Sequence, residues 1–367
     1  MSILDLRQKI VSLAIAVTPF TQLRLEGLRI GVSEIMVIFY FITLMISNPK
    51  LRDLRSTTLL VLIYLGFLFF FLMHIEHSER SMKHIIAYTY NIFFAIALVT
   101  DTDLDIKKII IEAANLHILL LGTSLILFTF IFTSEIAIIT NPIEGIRFMG
   151  LSENPNQEAF AALFLLVSIY ILNQNDIRGI LTISSLLAFI IFLTRSDAAI
   201  LSLMVAVLAG FYTQRRNLLG RFALIILLSG ISLIIIGPFI EFYEQLSSGQ
   251  TSARFRLWAN GLTAFLEAPY FGNGLFHQSG YNPFMYKEAH NLYIDLISMV
   301  GLFGFIYFIF LFVCLVGFSR YSFQFLPLLI SVSAFSVFHF TLRSPIFWIS
   351  MLLPVLYKNY ISFYQRT

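Results

Sequence analysis

The chain has 367 residues, of which 58% are hydrophobic and only 12% charged. Soluble domains carry about 25% charge, so this composition excludes a soluble globular protein and requires a polytopic membrane protein. The net charge of +3 is too small to argue for nucleic acid, and the lone Cys314 excludes a disulfide framework.

In chain order, Arg7 and Lys9 precede an apolar stretch at 10–23. Its charge and apolarity are signal-like, but no small-x-small cleavage site follows. It reads as a retained first segment, either spanning fully or lying tilted at the interface. Further apolar segments are predicted at 31–48, 57–75, 85–99, 109–133, 157–173, 179–194, 197–213, 219–240, 292–318, 322–341 and 344–363. Together they make about twelve spans, against the roughly 20 residues that a crossing helix needs. Lipid cannot satisfy peptide groups, so each must be a helix and the fold class is all-α. Almost no linker separates 179–194 from 197–213, which predicts a tight helical hairpin. Residues 1–367 form one membrane domain with two hydrophilic excursions, 134–156 and 241–291.

Orientation follows from Lys and Arg in the connectors. One set, with Lys50, Arg52, Arg55, Lys107, Lys108, Arg178, Arg215, Arg216, Arg221, Arg320 and both termini, holds 14 cations; the other holds 10. Both termini are then cytoplasmic, and 134–156 and 241–291 face the periplasm. Arg147, Arg195, Arg254 and Arg343 oppose this bias. Cations at helix ends on the wrong side are candidates for function. Snorkelling to lipid phosphate is the plain alternative.

Within 241–291, Phe255, Trp258, Leu262, Phe265 and Leu266 recur at helical spacing. They predict an amphipathic helix capped by Thr251 or Ser252 and ended by Pro269, lying on the outer membrane surface or packed on the bundle. Gly272-Asn273-Gly274 predicts a turn. His290-Asn291 stands just before the apolar run from Leu292, where a histidine can serve as a base or as an interfacial side chain. Asn154-Pro155-Asn156 opens the sixth span, as an N-cap with proline at the first helical position or as sugar contacts. Asp101, Asp103 and Asp105 lack the glycine and glutamate of a calcium loop and read as a solvated linker. His74, Glu76 and His77 read as interfacial side chains rather than zinc ligands, and His339 and Cys314 as helix-buried bystanders.

Several of these pieces resemble the O-antigen ligase and polymerase superfamily of bacterial membrane glycosyltransferases. The resemblance rests on Arg254-x-x-x-Trp258, then Pro269-x-Phe271-Gly272-x-Gly274, then His290-Asn291 and Gly301-x-x-Gly304. Thr194-Arg195-Ser196 is similar to the family's Ser-Arg-small motif, with Thr194 and Asp197 as departures, and Gly150–Asn156 to its Gly…Asn-Pro-Asn segment. The likeness runs over roughly residues 145–305. It implies a twelve-helix, GT-C-like architecture in the bacterial inner membrane and a glycan donor on undecaprenyl diphosphate at the periplasmic face. It implies inversion at the anomeric carbon, no cofactor and no metal. The implied partners are the lipid-linked donor, an acceptor glycan (a lipid-linked repeat or lipid A-core), membrane lipid and a chain-length regulator protein. On this reading His290, Arg254 and Arg195 are catalytic, and Arg147, Arg256, Asn156, Asn291 and Arg343 bind substrate. Polymerase is preferred over ligase for the Asn-Pro-Asn segment. A transporter of the same lipid-linked glycan would need inverted repeats and broken helices, which the sequence does not display.

Overall fold

The computed structural model describes residues 2–21, 31–47, 53–73, 79–131, 143–144, 147–173, 177–214, 253–274, 288–317, 319 and 321–364. Among these residues the chain is almost entirely helical. The helices are α1 (Ile3–Val17), α2 (Val32–Ile46), α3 (Leu54–Met73), α4 (Glu79–Thr100), α5 (Ile106–Ile131), α6 (Pro155–Leu172), α7 (Ile177–Thr194) and α8 (Asp197–Gln214). They continue with α9 (Ala253–Glu267), α10 (Leu292–Gly317), α11 (Leu326–Ser336) and α12 (Pro345–Tyr364). Two two-residue strands, β1 (Ile143–Glu144) and β2 (Arg147–Phe148), pair antiparallel with Glu144 opposite Arg147. Among the described residues, four helices are long and apolar enough to cross a membrane: α5, α6, α10 and α12. Six shorter apolar helices accompany them. The expected span at 219–240, the outer segment 241–252, Thr251 and Ser252, and His74, Glu76 and His77 lie outside the described residues.

The helices match the apolar segments closely because lipid exposure leaves intrachain hydrogen bonding as the only backbone solution. Several boundaries shift by a turn or more, and two of the shifts have a visible tertiary reason. Helix α1 starts at Ile3, well before the apolar stretch, with Ser2 and Asp5 forming a reciprocal cap. Its polar first turns survive burial because Arg7 pairs with Asp101 at 3.0 Å, where the Tyr40 hydroxyl also donates at 3.1 Å. Asp101 is therefore a buried structural carboxylate and not a solvated linker residue. Asp105 does cap α5, accepting the Lys108 N–H at 3.0 Å. The second difference is at 322–341, where α11 stops at Ser336 and residues 337–344 form a connector. The Ser336 and Thr341 hydroxyls share a hydrogen bond of 2.7 Å across it.

A buried polar pair ties three helices together. The His117 imidazole on α5 meets the Glu158 carboxylate on α6 at 2.7 Å and the Ala16 carbonyl on α1 at 2.9 Å. Both side chains are fully enclosed. Elsewhere α11 packs along α8, α6 along α7, and α3 along α4 and α10. The α3–α10 contact is aromatic, with Phe67 stacked on Phe308 at 4.3 Å.

Helix α10 is kinked at Gly301, whose φ is +65°. The kink receives the segment after α9. Asn273 and Gly274 N–H groups donate to the Ser298 and Met299 carbonyls, each at 2.9 Å. In return Leu302 N–H donates to the Pro269 carbonyl at 2.8 Å. A side chain on Gly272 would strike the Met299 carbonyl, and one on Gly301 the Tyr270 carbonyl. The expected turn at Gly272–Gly274 is thus also a backbone-to-backbone clamp that docks the amphipathic helix α9 onto α10.

Candidate active site

The site is assembled around the first turn of α6. Asn154 is its N-cap, with its side chain accepting the Asn156 N–H at 2.8 Å, and Pro155 occupies the first helical position. The Asn156 side-chain oxygen faces two donors, the Arg147 guanidinium at 2.9 Å and the Ser196 hydroxyl at 2.8 Å. Arg147 also donates through Nε to the Thr194 carbonyl at 3.0 Å. One amide therefore joins β2, α6 and the joint between α7 and α8.

That joint is short, but the expected tight hairpin does not form: α7 packs along α6 and α8 along α11, and the two helices hardly touch each other. Only Arg195 and Ser196 separate the two helices. Arg195 takes φ +48°, a conformation that costs a non-glycine residue roughly 1–2 kcal/mol. Its side chain is exposed, and its chain neighbours Thr194 and Ser196 both bond to the Asn156 cluster.

Helix α9 brings the next cation. The Arg254 guanidinium lies 6.0 Å over the Phe338 ring, and Trp258, one turn on, meets the same ring at 6.3 Å. Protein around Arg254 strips part of its solvation and lowers its pKa; Asp197 opposes the shift and Arg147 adds to it. Arg254 thus shares its electrostatic surroundings with the Asn156 cluster. Arg256 follows two residues later, roughly 200° round the helix, on nearly the opposite side from Arg254.

His290 completes the group from the turn before α10. It is exposed and has φ +55°. Loss of solvation lowers its pKa; Glu288 opposes the shift, while Arg254 and Arg343 add to it. It is therefore a neutral imidazole near pH 7. Asn291 is buried and spends its side-chain oxygen as the helix cap, accepting N–H bonds from Tyr293 at 3.0 Å and Ile294 at 3.2 Å. Arg343, in the α11–α12 connector, pairs with Glu288 and lies 5.6 Å over the Phe340 ring. Asn91 on α4 donates to the Arg343 carbonyl at 2.8 Å, which anchors the connector.

Two functional candidates were not legible as such in the sequence. His339 reads there as a helix-buried bystander, but it lies in the connector with its ring stacked 4.7 Å from Phe335. Burial pushes its pKa down to about 3, and Arg254, His290 and Arg147 all contribute to the fall. It therefore lies within electrostatic reach of the cations of the expected site. Asp295 is the other, a fully buried carboxylate in the first turn of α10. Only its proximity to His290-Asn291, five residues on, could have flagged it. Among the described residues, no three His, Cys, Asp or Glu side chains come together.

Arg147, Arg195, Arg254 and Arg343 come from four separate parts of the chain, and guanidinium forks are suited to phosphate oxygens.

Residues 182–309 match the family model described as O-antigen ligase. The match supports the O-antigen ligase and polymerase superfamily over about a third of the chain. The O-antigen ligase segment includes Arg195, Arg254, Arg256, His290, Asn291 and both halves of the glycine clamp. Arg147, Asn156, Arg343 and His339 lie outside it and are brought to it by the fold. No curated protein matches the chain. The apolar helices and the O-antigen ligase match together indicate a multi-pass membrane protein of glycosyltransferase-like character.

Proposed function

We propose that this protein is an inner-membrane glycosyltransferase that moves a glycan from undecaprenyl diphosphate to an acceptor sugar hydroxyl at the periplasmic face. The observation that carries this reading is the shared electrostatic setting of Arg254, Arg147, Arg343 and His290. In the reaction, the acceptor oxygen forms a bond to the anomeric carbon from the face opposite the leaving group. The bond from that carbon to the diphosphate oxygen breaks, inverting the centre. Undecaprenyl diphosphate leaves with the bonding pair. The hydroxyl proton passes to the neutral His290.

Arg254 and Arg195 stabilise the charge that develops on the diphosphate, with Arg147 and Arg343 in support, while Arg256, on the far side of α9, is left out of this role. No metal takes part in this scheme. Asn156 holds Arg147 in place, and Asn291 fixes the helix that follows His290. The remaining architecture is read as twelve spans, GT-C-like, with 241–291 as the periplasmic loop.

The product is read as polymerised O-antigen or surface polysaccharide, made by transfer to a second lipid-linked repeat and sized with a chain-length regulator. A second reading, in keeping with the description of the matching family model as O-antigen ligase, is ligation of the chain to lipid A-core. Purified protein given a defined undecaprenyl-diphosphate glycan and either acceptor tests both. Longer lipid-linked glycan supports the polymerase, and glycan on lipid A-core supports the ligase. Transport of intact donor across vesicles without transfer to either acceptor would overturn both.

A further inference from the structure

We propose that Asp295 is a positioning residue for His290, holding the backbone turn that presents the imidazole to the reacting sugar. The inference rests on the catalytic role given to His290 above. The Asp295 carboxylate is fully buried beneath the turn. One oxygen accepts the Ala289 N–H at 2.7 Å and the other the Asn291 N–H at 3.2 Å. These are the two residues that flank His290, so a single side chain grips the backbone on both sides of it. His290 itself sits in the left-handed region, at φ +55°, a conformation uncommon among non-glycine residues and cheaper to hold when the flanking backbone is fixed.

The neighbouring contacts show that the turn is held and its centre left open. Glu288 is tied to Arg343, and Asn291 is occupied as the cap of α10. The exposed residue between these fixed points is His290. An ordinary helix cap needs one acceptor for one terminal N–H. Here Asp295 adds a bond to Ala289, outside the helix and on the far side of the histidine. That bond serves the turn and not the helix. Asp295 thus does for His290 what an orienting carboxylate does for a catalytic imidazole, but through the backbone instead of the ring.

The test uses full-length protein in membranes or detergent, with His290→Ala, Asp295→Asn and the double variant. An asparagine keeps one acceptor and replaces the other with an amide N–H, which faces a backbone N–H and cannot bond to it. The expected result for Asp295→Asn is a kcat lowered about 10- to 100-fold, with the donor KM within about two-fold. His290→Ala and the double variant should be equal within about two-fold, because Asp295 acts through His290. Carbethoxylation of His290 by diethyl pyrocarbonate, followed by peptide mass mapping, should change rate in Asp295→Asn. Unchanged carbethoxylation, wild-type kcat in Asp295→Asn, or a double variant lower than His290→Ala by the full Asp295 factor would each overturn the proposal. Should Asp295→Asn not accumulate, Asp295→Glu keeps the carboxyl group, displaces its oxygens by a methylene, and should show the same kcat loss and altered carbethoxylation. If His290→Ala transfers glycan at the wild-type rate, the catalytic reading of His290 fails. The carbethoxylation rate still decides whether Asp295 orients the ring.

Discussion

Arg254 and His290 occupy short polar segments whose side chains contribute little to the packed bundle. Arg254→Ala should lower glycan transfer about 100- to 1,000-fold, the usual cost of losing one donor to a developing charge. Arg254→Lys should also be poor, since an ammonium lacks the planar fork that grips two phosphate oxygens. His290→Ala should cost on the order of 100- to 10,000-fold. Polysaccharide on a gel from a complemented deletion strain, at matched protein level, measures all three. Wild-type chains from Arg254→Ala and His290→Ala would remove this site from consideration. His339 makes a different prediction. Its folded pKa, about 3, lies below its ordinary value of 6.5. Between those values the unfolded chain binds the proton that the folded chain refuses, so stability falls as pH drops from about 6.5 towards 3. His290 is shifted in the same direction and adds to the trend. The melting temperature in detergent should therefore drop less steeply between pH 6.5 and pH 4 in His339→Gln than in the unaltered protein. Equal slopes would mean that His339 is not held neutral by its surroundings.

At the level of elements, the docking of α9 onto the kink of α10 decides whether Arg254 and His290 can share a substrate. Gly301→Ala would place a methyl group against the Tyr270 carbonyl at φ +65°. The backbone conformation alone costs roughly 1–2 kcal/mol, before the collision is counted. The kink must straighten or α9 must lift. Size-exclusion chromatography in detergent should show reduced recovery of monodisperse protein, and the folded fraction should have lost transfer activity. Gly122→Ala is the control, because nothing lies within 4 Å of that position and alanine is the better helix former by about 1 kcal/mol. Behaviour of Gly301→Ala identical to that of Gly122→Ala would show that the clamp is dispensable. The α7–α8 joint follows the same logic. It is short enough to read from sequence, yet its role comes from the Arg147 bond to the Thr194 carbonyl and the Ser196 bond to Asn156.

The whole molecule has a polarity that its internal contacts share with its charge pattern. Helix α1 meets the α4–α5 connector near its start, through Arg7 and Asp101. Near its end Thr21 bonds to the Glu153 N–H at 2.8 Å and to Gln157 at 3.1 Å, beside the site cluster. The cation distribution assigns those two ends to the cytoplasm and the periplasm. Single cysteines at Asp103 and Glu267 should accordingly be labelled from opposite sides by an impermeant maleimide. Labelling of both from one side would invert or discard the topology. Charge neutralisation by arginines makes a further prediction for the intact enzyme. Transfer should survive EDTA, and loss with rescue by Mg²⁺ or Mn²⁺ would count against the scheme.

How much of this was legible in the chain depends on the range of the physics involved. Hydropathy and helical period are local, so the sequence alone marks out nearly all the described helices, the short α7–α8 joint, the amphipathic face of α9 and the Asn154 cap, but not that α7 and α8 diverge onto different neighbours. Arginines on the unfavoured side of a membrane also declare themselves locally, which is why Arg147, Arg195, Arg254 and Arg343 stand out before any fold is known. Partner choice is not local. Asp101 looks like solvated linker until Arg7, on a helix far away in sequence, is packed against it. His339 looks like part of an apolar span until the chain turns after Ser336 and sets it among the cations. Glu158 and His117, 41 residues apart, become a fully enclosed pair only when α5 and α6 meet. A residue's own neighbours determined which segments enter the membrane; the tertiary structure decided which charges face one another, because a desolvated charge persists only where the fold supplies its counterpart.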